Sequence, residues 1–218
     1  MDGLPFLDYL SQNRDEIMLR TQEHALLALY TLVMASVLGL LIAITVFRSK
    51  ALSTLTISAA SVGFTVPSVA LFGFLVSFAG QGLLSVFPVL VLYALLPILR
   101  NSIVGLQAAD PFVIDAARGM GVGGFRMLWQ IRLPIAWPVI LAGLRVSAQL
   151  TVGIAAIAAF VYDIGLGEYA FSALDNLGSV NTRNQAMVCV LFVAVVALAF
   201  DAVFVIVRRF TTPRGTHA

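Results

Sequence analysis

Charge is scarce in this chain. Only 11% of its 218 residues are Asp, Glu, Lys or Arg, against about 25% in ordinary soluble domains, which excludes a water-exposed globular surface. Cysteine occurs once, at Cys189, so no disulfide framework forms within one chain. Histidine occurs twice, as His24 and His217, neither near that cysteine, and a zinc-type cluster lacks ligands. There is no Gly-x-x-x-x-Gly-Lys-Ser/Thr segment, so ATP is not held by that backbone cradle. No nucleophile and base fall at a useful spacing; no catalytic residue is assigned and no cofactor is expected. The first two dozen residues carry Asp2, Asp8, Asp15, Glu16 and Glu23 without a basic start or a small-residue cleavage site, which is not the pattern of a secretory leader.

What the chain has instead is apolar length, with 60% hydrophobic residues. A helix needs about 20 mostly apolar residues to cross hydrocarbon. Ala25 to Phe47 is uncharged and reads as a first span; 51–99 is uncharged and long enough for two. Gly80-Gln81-Gly82 divides that run into spans near 52–78 and 83–99, with Pro67 and Pro97 as expected kinks. Spans near 135–161 and 186–207 follow, with Arg145 and Asp201 as their single charges. The expectation is an all-α, five-span membrane protein, with an N-terminal segment 1–24, a membrane domain 25–207 and a tail 208–218.

Basic loops are retained on the cytoplasmic side. Alternating crossings put Arg48, Lys50, Arg100, Arg118, Arg126, Arg132, Arg208, Arg209 and Arg214 together, and only Arg14, Arg20 and Arg183 opposite them. The N-terminus is therefore expected outside and the C-terminus inside. Orientation accounts for these cations without nucleic acid. The segment Phe6 to Leu19 reads either as an amphipathic interfacial helix or as a solvated lead-in.

A polar island at 110–134 interrupts the apolar runs. Asp110 suits a helix N-cap and Pro111 its first turn. Val113, Ile114, Ala116 and Ala117 give the helix a compact face. One of Gly119, Gly121, Gly123 and Gly124 should end it in a left-handed turn. A second helical piece carries Phe125, Met127, Leu128 and Trp129, and Pro134 should prevent uninterrupted helix into the next span. Small residues beside bulky ones make a docking knob; an interfacial helix among lipid headgroups is the alternative.

Asp115-Ala116-Ala117, three residues, Gly121, nine residues, then Ile131-Arg132-Leu133-Pro134 resembles the EAA loop of bacterial ABC importer permeases, with Asp115 in place of Glu. More narrowly, the chain resembles osmoprotectant (glycine betaine/choline/carnitine) permease subunits. That likeness rests on 66–73, 92–101, 116–121, 138–145 and Gly165-Leu166-Gly167, and departs at Trp137 and Tyr162-Asp163-Ile164. The resemblance implies a type I ABC importer permease core in the bacterial cytoplasmic membrane. Asp115, Ala116, Ala117, Gly121, Ile131, Leu133 and Pro134 would form its cytoplasmic coupling region. It further implies an ABC ATP-binding subunit, an extracytoplasmic solute-binding protein and a second permease subunit, identical or paralogous. Import of another small solute, such as an amino acid, and a scaffold that docks an ATPase without transport are the competing readings.

Within the spans, a prolyl break would free backbone carbonyls, which marks Thr65, Pro67 and Ser68 as candidates for the path. Aromatic rings attract quaternary ammonium, which adds Tyr93. Arg145 is expected to snorkel to the inner interface and Asp201 to meet Arg208; the alternative pairs the two across spans four and five, or puts Arg145 on the solute path. Residues 162–185 form an outer loop long enough for a short helix, either a contact for a binding protein or a plain connector.

Overall fold

A computed structural model describes residues 4–211; Asp2, Arg214 and His217 lie outside them. Every regular element among the described residues is helical: α1 (Phe6–Gln12), α2 (Arg14–Val46), α3 (Lys50–Thr65), α4 (Ser68–Ala79), α5 (Leu83–Gln107), α6 (Pro111–Gly119), α7 (Gly124–Arg126), a π turn (Met127–Arg132), α8 (Leu133–Ala158), α9 (Gly167–Asp175) and α10 (Thr182–Thr211). Residues 14–46, 83–107, 124–158 and 182–211 are each long and apolar enough to cross a membrane.

The expected span at 52–78 is a broken one. Helices α3 and α4 meet at an angle of 88°. Proline pushes the residue before it out of the helical region, and Val66 is extended at φ −70° and ψ 130°. The Tyr93 hydroxyl donates to the Val66 carbonyl, satisfying a group that the break exposes. Pro97, expected to act likewise, leaves α5 continuous. In the same turn, next to the Tyr93 carbonyl that Pro97 deprives of its donor, the Ser147 hydroxyl of the neighbouring helix donates to the Ala94 carbonyl at 2.8 Å.

Helix α5 forms the centre, packed along α8 and covered by α2. Helices in lipid associate through close backbone approach at small residues. A Cβ on Gly143 would lie 2.6 Å from Asn101 Cβ and 2.8 Å from the Pro97 carbonyl oxygen; only hydrogen fits. Ala94, Ala136 and Ala148 are buried along the same seam.

The N-terminal segment is neither a free lead-in nor a detached interfacial helix. Tyr9 and Ile17 are buried with Leu166, Tyr169 and Val188, and Asn184 donates to the Leu4 carbonyl at 2.8 Å. Arg20 reaches Asp163 at 2.8 Å, Glu23 accepts from the Gly165 amide at 3.1 Å, and His24 Nε2 meets the Val152 carbonyl at 3.0 Å. The departure at Tyr162-Asp163-Ile164 therefore fastens the outer loop to α2. Burial, then Glu16 and Tyr9, push the Tyr169 hydroxyl well above the ordinary phenol range.

The α5–α8 contact makes a paired prediction. Gly143→Ala lowers stability by about 1–3 kcal/mol through overpacking. Gly153→Ala, whose Cβ meets nothing within 4 Å, is neutral or gains up to about 1 kcal/mol from helix propensity. Thermal unfolding in detergent checks both, and an unchanged melting temperature for Gly143→Ala would contradict the tight crossing.

Candidate functional site

After α5 ends, the Asp110 carboxylate accepts from the Phe112 amide at 2.8 Å with Pro111 in the first turn, the capping read from the sequence. Helix α6 buries Ile114 and Ala117 against Ala109 and Met127, backed by Val122 and Ile131. Its end is a Schellman turn. The Val122 amide donates to the Ala117 carbonyl at 3.0 Å and the Gly121 amide to the Arg118 carbonyl at 2.9 Å. Gly121 stands at φ +79°, where a side chain is strained. This explains glycine at that place in the pattern.

The other nominated residues divide into two groups. Asp115 and Ala116 face solvent, and Asp115 meets Arg118 at 3.3 Å with both side chains well exposed. Ala117 is buried and Ile131 half-buried on the opposite side. Leu133 and Pro134 border an apolar cavity of about 650 Å³ beside Trp129 and Trp137. Met127 and Leu128, read as groove-filling, are buried within the chain. Phe112 (84% exposed), Met120 (77%) and Phe125 (76%) supply the outward apolar surface, with the Trp129 ring 6.0 Å from that of Phe125. Phe112 and Met120 were missed because bulk alone does not say which face of a nine-residue helix is free.

Pro134 does not interrupt the helix. Helical structure runs from Gly124 to Ala158, entering α8 through the π turn. A π turn shifts hydrogen bonding to i→i+5. The carbonyl that proline deprives of its usual donor is then accommodated without a break.

Arg145 and Asp201 take the alternative arrangement, pairing with each other rather than snorkelling. Arg145 donates through Nε to Asp201 Oδ1 at 2.5 Å and through Nη2 to Oδ2 at 2.7 Å, and Gln149 adds a bond to Oδ1 at 3.0 Å. Snorkelling loses to a fork that matches a carboxylate in an environment with no water to replace it. The Trp137 departure is structural too, its indole donating to the Thr211 hydroxyl at 2.8 Å. Of the path candidates, Thr65 and Pro67 are exposed, Ser68 is half-buried and Tyr93 is buried. The break brings all four together, with the Tyr93 ring 5.4 Å from that of Phe64.

Comparison with known proteins agrees with this geometry. The family model described as "binding-protein-dependent transport system inner membrane component" matches residues 35–214. The carnitine transport permease protein OpuCB of Listeria monocytogenes is 31% identical, over 80% of this chain and 79% of its own. The glycine betaine/carnitine/choline transport system permease protein OpuCB of Bacillus subtilis is 27% identical, over 96% and 94%. The osmoprotectant import permease protein OsmW of Salmonella typhimurium is 28% identical, over 96% and 98%. Among solved structures, an inward-facing form of the MetNI methionine ABC transporter superposes with a TM-score of 0.71 at 20% identity, covering 88% of this chain and 94% of that one. At that identity the likeness establishes the fold.

The intramembrane pair is tested by charge exchange. Arg145→Gln or Asp201→Asn alone leaves one charge unpartnered and cuts the yield of folded, monodisperse protein several-fold. The exchanged double variant, Arg145→Asp with Asp201→Arg, recovers much of that loss. Gel filtration of fluorescently tagged protein reads both outcomes, and no recovery would argue that each charge acts separately.

Proposed function

The chain belongs to the family of binding-protein-dependent transport system inner membrane components, and on that premise we propose that it is the permease of an ATP-driven importer of small compatible solutes. Glycine betaine, choline and carnitine are the solute class, because relatives named for them match this chain over most of its length. Hydrolysis belongs to a separate ATP-binding chain. A solute-binding protein delivers cargo at the outer face, and a second permease completes the path. The N-terminus lies outside and the C-terminus in the cytoplasm, as the distribution of Lys and Arg favours.

One observation carries the mechanism. Phe112, Met120 and Phe125 are exposed on a segment away from the spans, while α6 is fixed from behind by Ile114, Ala117 and Met127. Contiguous exposed apolar surface outside lipid marks an interaction site, and the ATP-binding chain is its occupant. The unbroken helix from Gly124 to Ala158 joins that surface to the membrane core. A load applied at α6 reaches the α5–α8 seam without a flexible joint. ATP shifts the permease only insofar as the docked surface binds one conformation better than the other. Solute passes near Thr65, Pro67 and Ser68, with Tyr93 holding the break in place.

Replacing Phe112 and Phe125 together by Asp should reduce co-purification of the ATP-binding chain by about tenfold or more, as for two aromatic anchors of an interface. Membrane abundance should not change, because both side chains are exposed, and uptake of radiolabelled glycine betaine, choline and carnitine should fall in parallel. Undiminished co-purification and uptake would place the motor elsewhere.

A further inference from the structure

A second feature of the loop region involves none of Phe112, Met120 and Phe125. Between α6, the π turn and the junction of α2 with α3 lies a cavity of about 540 Å³. Arg48, Lys50, Arg118 and Arg132 line it, and no acidic residue does. They come from three separate parts of the chain: the α2–α3 junction, α6 and the π turn. Arg132 donates to the Leu106 carbonyl at 2.8 Å. Its guanidinium lies 5.4 Å from the centroid of the Phe47 ring, and that of Arg48 lies 5.6 Å from the same centroid. One buried ring thus holds two cations in place, and Arg48 reaches across until a Cβ on Gly124 would be 3.6 Å from its Nη2. Among the described residues, Arg48, Lys50 and Arg132 have no ion-pair partner, and Arg118 has only the exposed Asp115.

Cations that merely mark the inner side of a membrane protein spread toward water and headgroups. Converging in one cavity costs them mutual repulsion unless an anion is present. The donors are forked guanidiniums and an ammonium, the set that best matches phosphate oxygens. We propose that this cavity binds a phosphate-bearing anion, the headgroup of an anionic phospholipid being favoured. The favoured source follows from position. The cavity opens where α2 ends and α3 begins, between the ends of membrane helices, and Phe47 and Met127 give it an apolar floor next to which a glycerol backbone sits without desolvating a polar group. An occupant there would bridge α6 to α2 and set how firmly the loop rests on the spans.

The test is binding, so it does not depend on whether solute is transported. The full chain, purified with its associated subunits, is titrated in neutral detergent with phosphatidylglycerol, phosphatidylcholine or inorganic pyrophosphate, and occupancy is read by native mass spectrometry. Saturable retention of phosphatidylglycerol over phosphatidylcholine is expected. Arg48→Gln with Lys50→Gln should weaken it roughly thirtyfold, at the strength typical of basic residues near anionic lipid. Both side chains are exposed, so folding is not at risk. Arg208→Gln with Arg209→Gln, which removes inner-side cations outside the cavity, should leave retention intact. Binding of pyrophosphate alone, with the same dependence on Arg48 and Lys50, supports the site with a soluble anion as its ligand. The proposal is overturned if neither anion is retained, or if both double variants lose retention equally. It is also overturned if carbodiimide couples Lys50 to a carboxylate of the ATP-binding chain, because a protein side chain then fills the cavity.

Discussion

A backbone carbonyl or amide inside hydrocarbon has no water to turn to, and each irregularity in this fold is shaped by that constraint. Where Pro67 breaks the helix, the exposed Val66 carbonyl accepts a hydrogen bond from the Tyr93 hydroxyl. The turn before Pro97 is served by Ser147. At the start of α8 the chain widens into a π turn rather than abandoning its hydrogen bonds. The same rule extends to side chains: Arg145 and Asp201 satisfy one another in two bonds, with Gln149 adding a third to the carboxylate.

These solutions explain which parts of the structure could be read from residues alone. The start of α6 at Asp110-Pro111 was legible, and its end was narrowed to one of four glycines, because both act through local backbone chemistry that needs no tertiary partner; the stop expected at Pro134 does not occur. Apolar runs located the membrane helices, although α2 begins at Arg14 rather than near Ala25. Its first turns are covered by α1 and the outer loop, and charge there does not limit the helix. The 88° bend and the π turn were not legible in the same way, and the Arg145–Asp201 pair was legible only as an alternative to snorkelling. Each depends on which side chain of another helix stands opposite, and hydropathy carries no information about that.

The spacing pattern in the loop has a comparable division. Gly121, Ala117 and Ile131 build the turn and its packing. The surface proposed for a partner adds Phe112, Met120 and Phe125, residues outside the anchors of the pattern, to the exposed anchors Asp115 and Ala116. A motif can be specific for a docking element while some of its anchor positions are structural. Loss of contact at Phe112 and loss of the Gly121 turn are therefore different defects, one leaving α6 intact and the other dissolving it.

That distinction bears on how force would pass through the proposed coupling segment. Only two connections tie α6 to the membrane helices: the short link 108–110 to α5, and the turn through Gly121 into the helix at 124–158. The first is brief and the second is stiff, so α6 cannot swing without moving α5 and α8. Those two helices cross with no room for even a methyl group at Gly143, so they move as one body rather than sliding past each other. The helical ladder of a span breaks elsewhere, at Val66–Pro67, where an extended residue joins α3 to α4 and the Tyr93 hydroxyl donates to the Val66 carbonyl. In the proposed mechanism, a displacement imposed at the loop is absorbed at this break, next to the residues proposed to line the path.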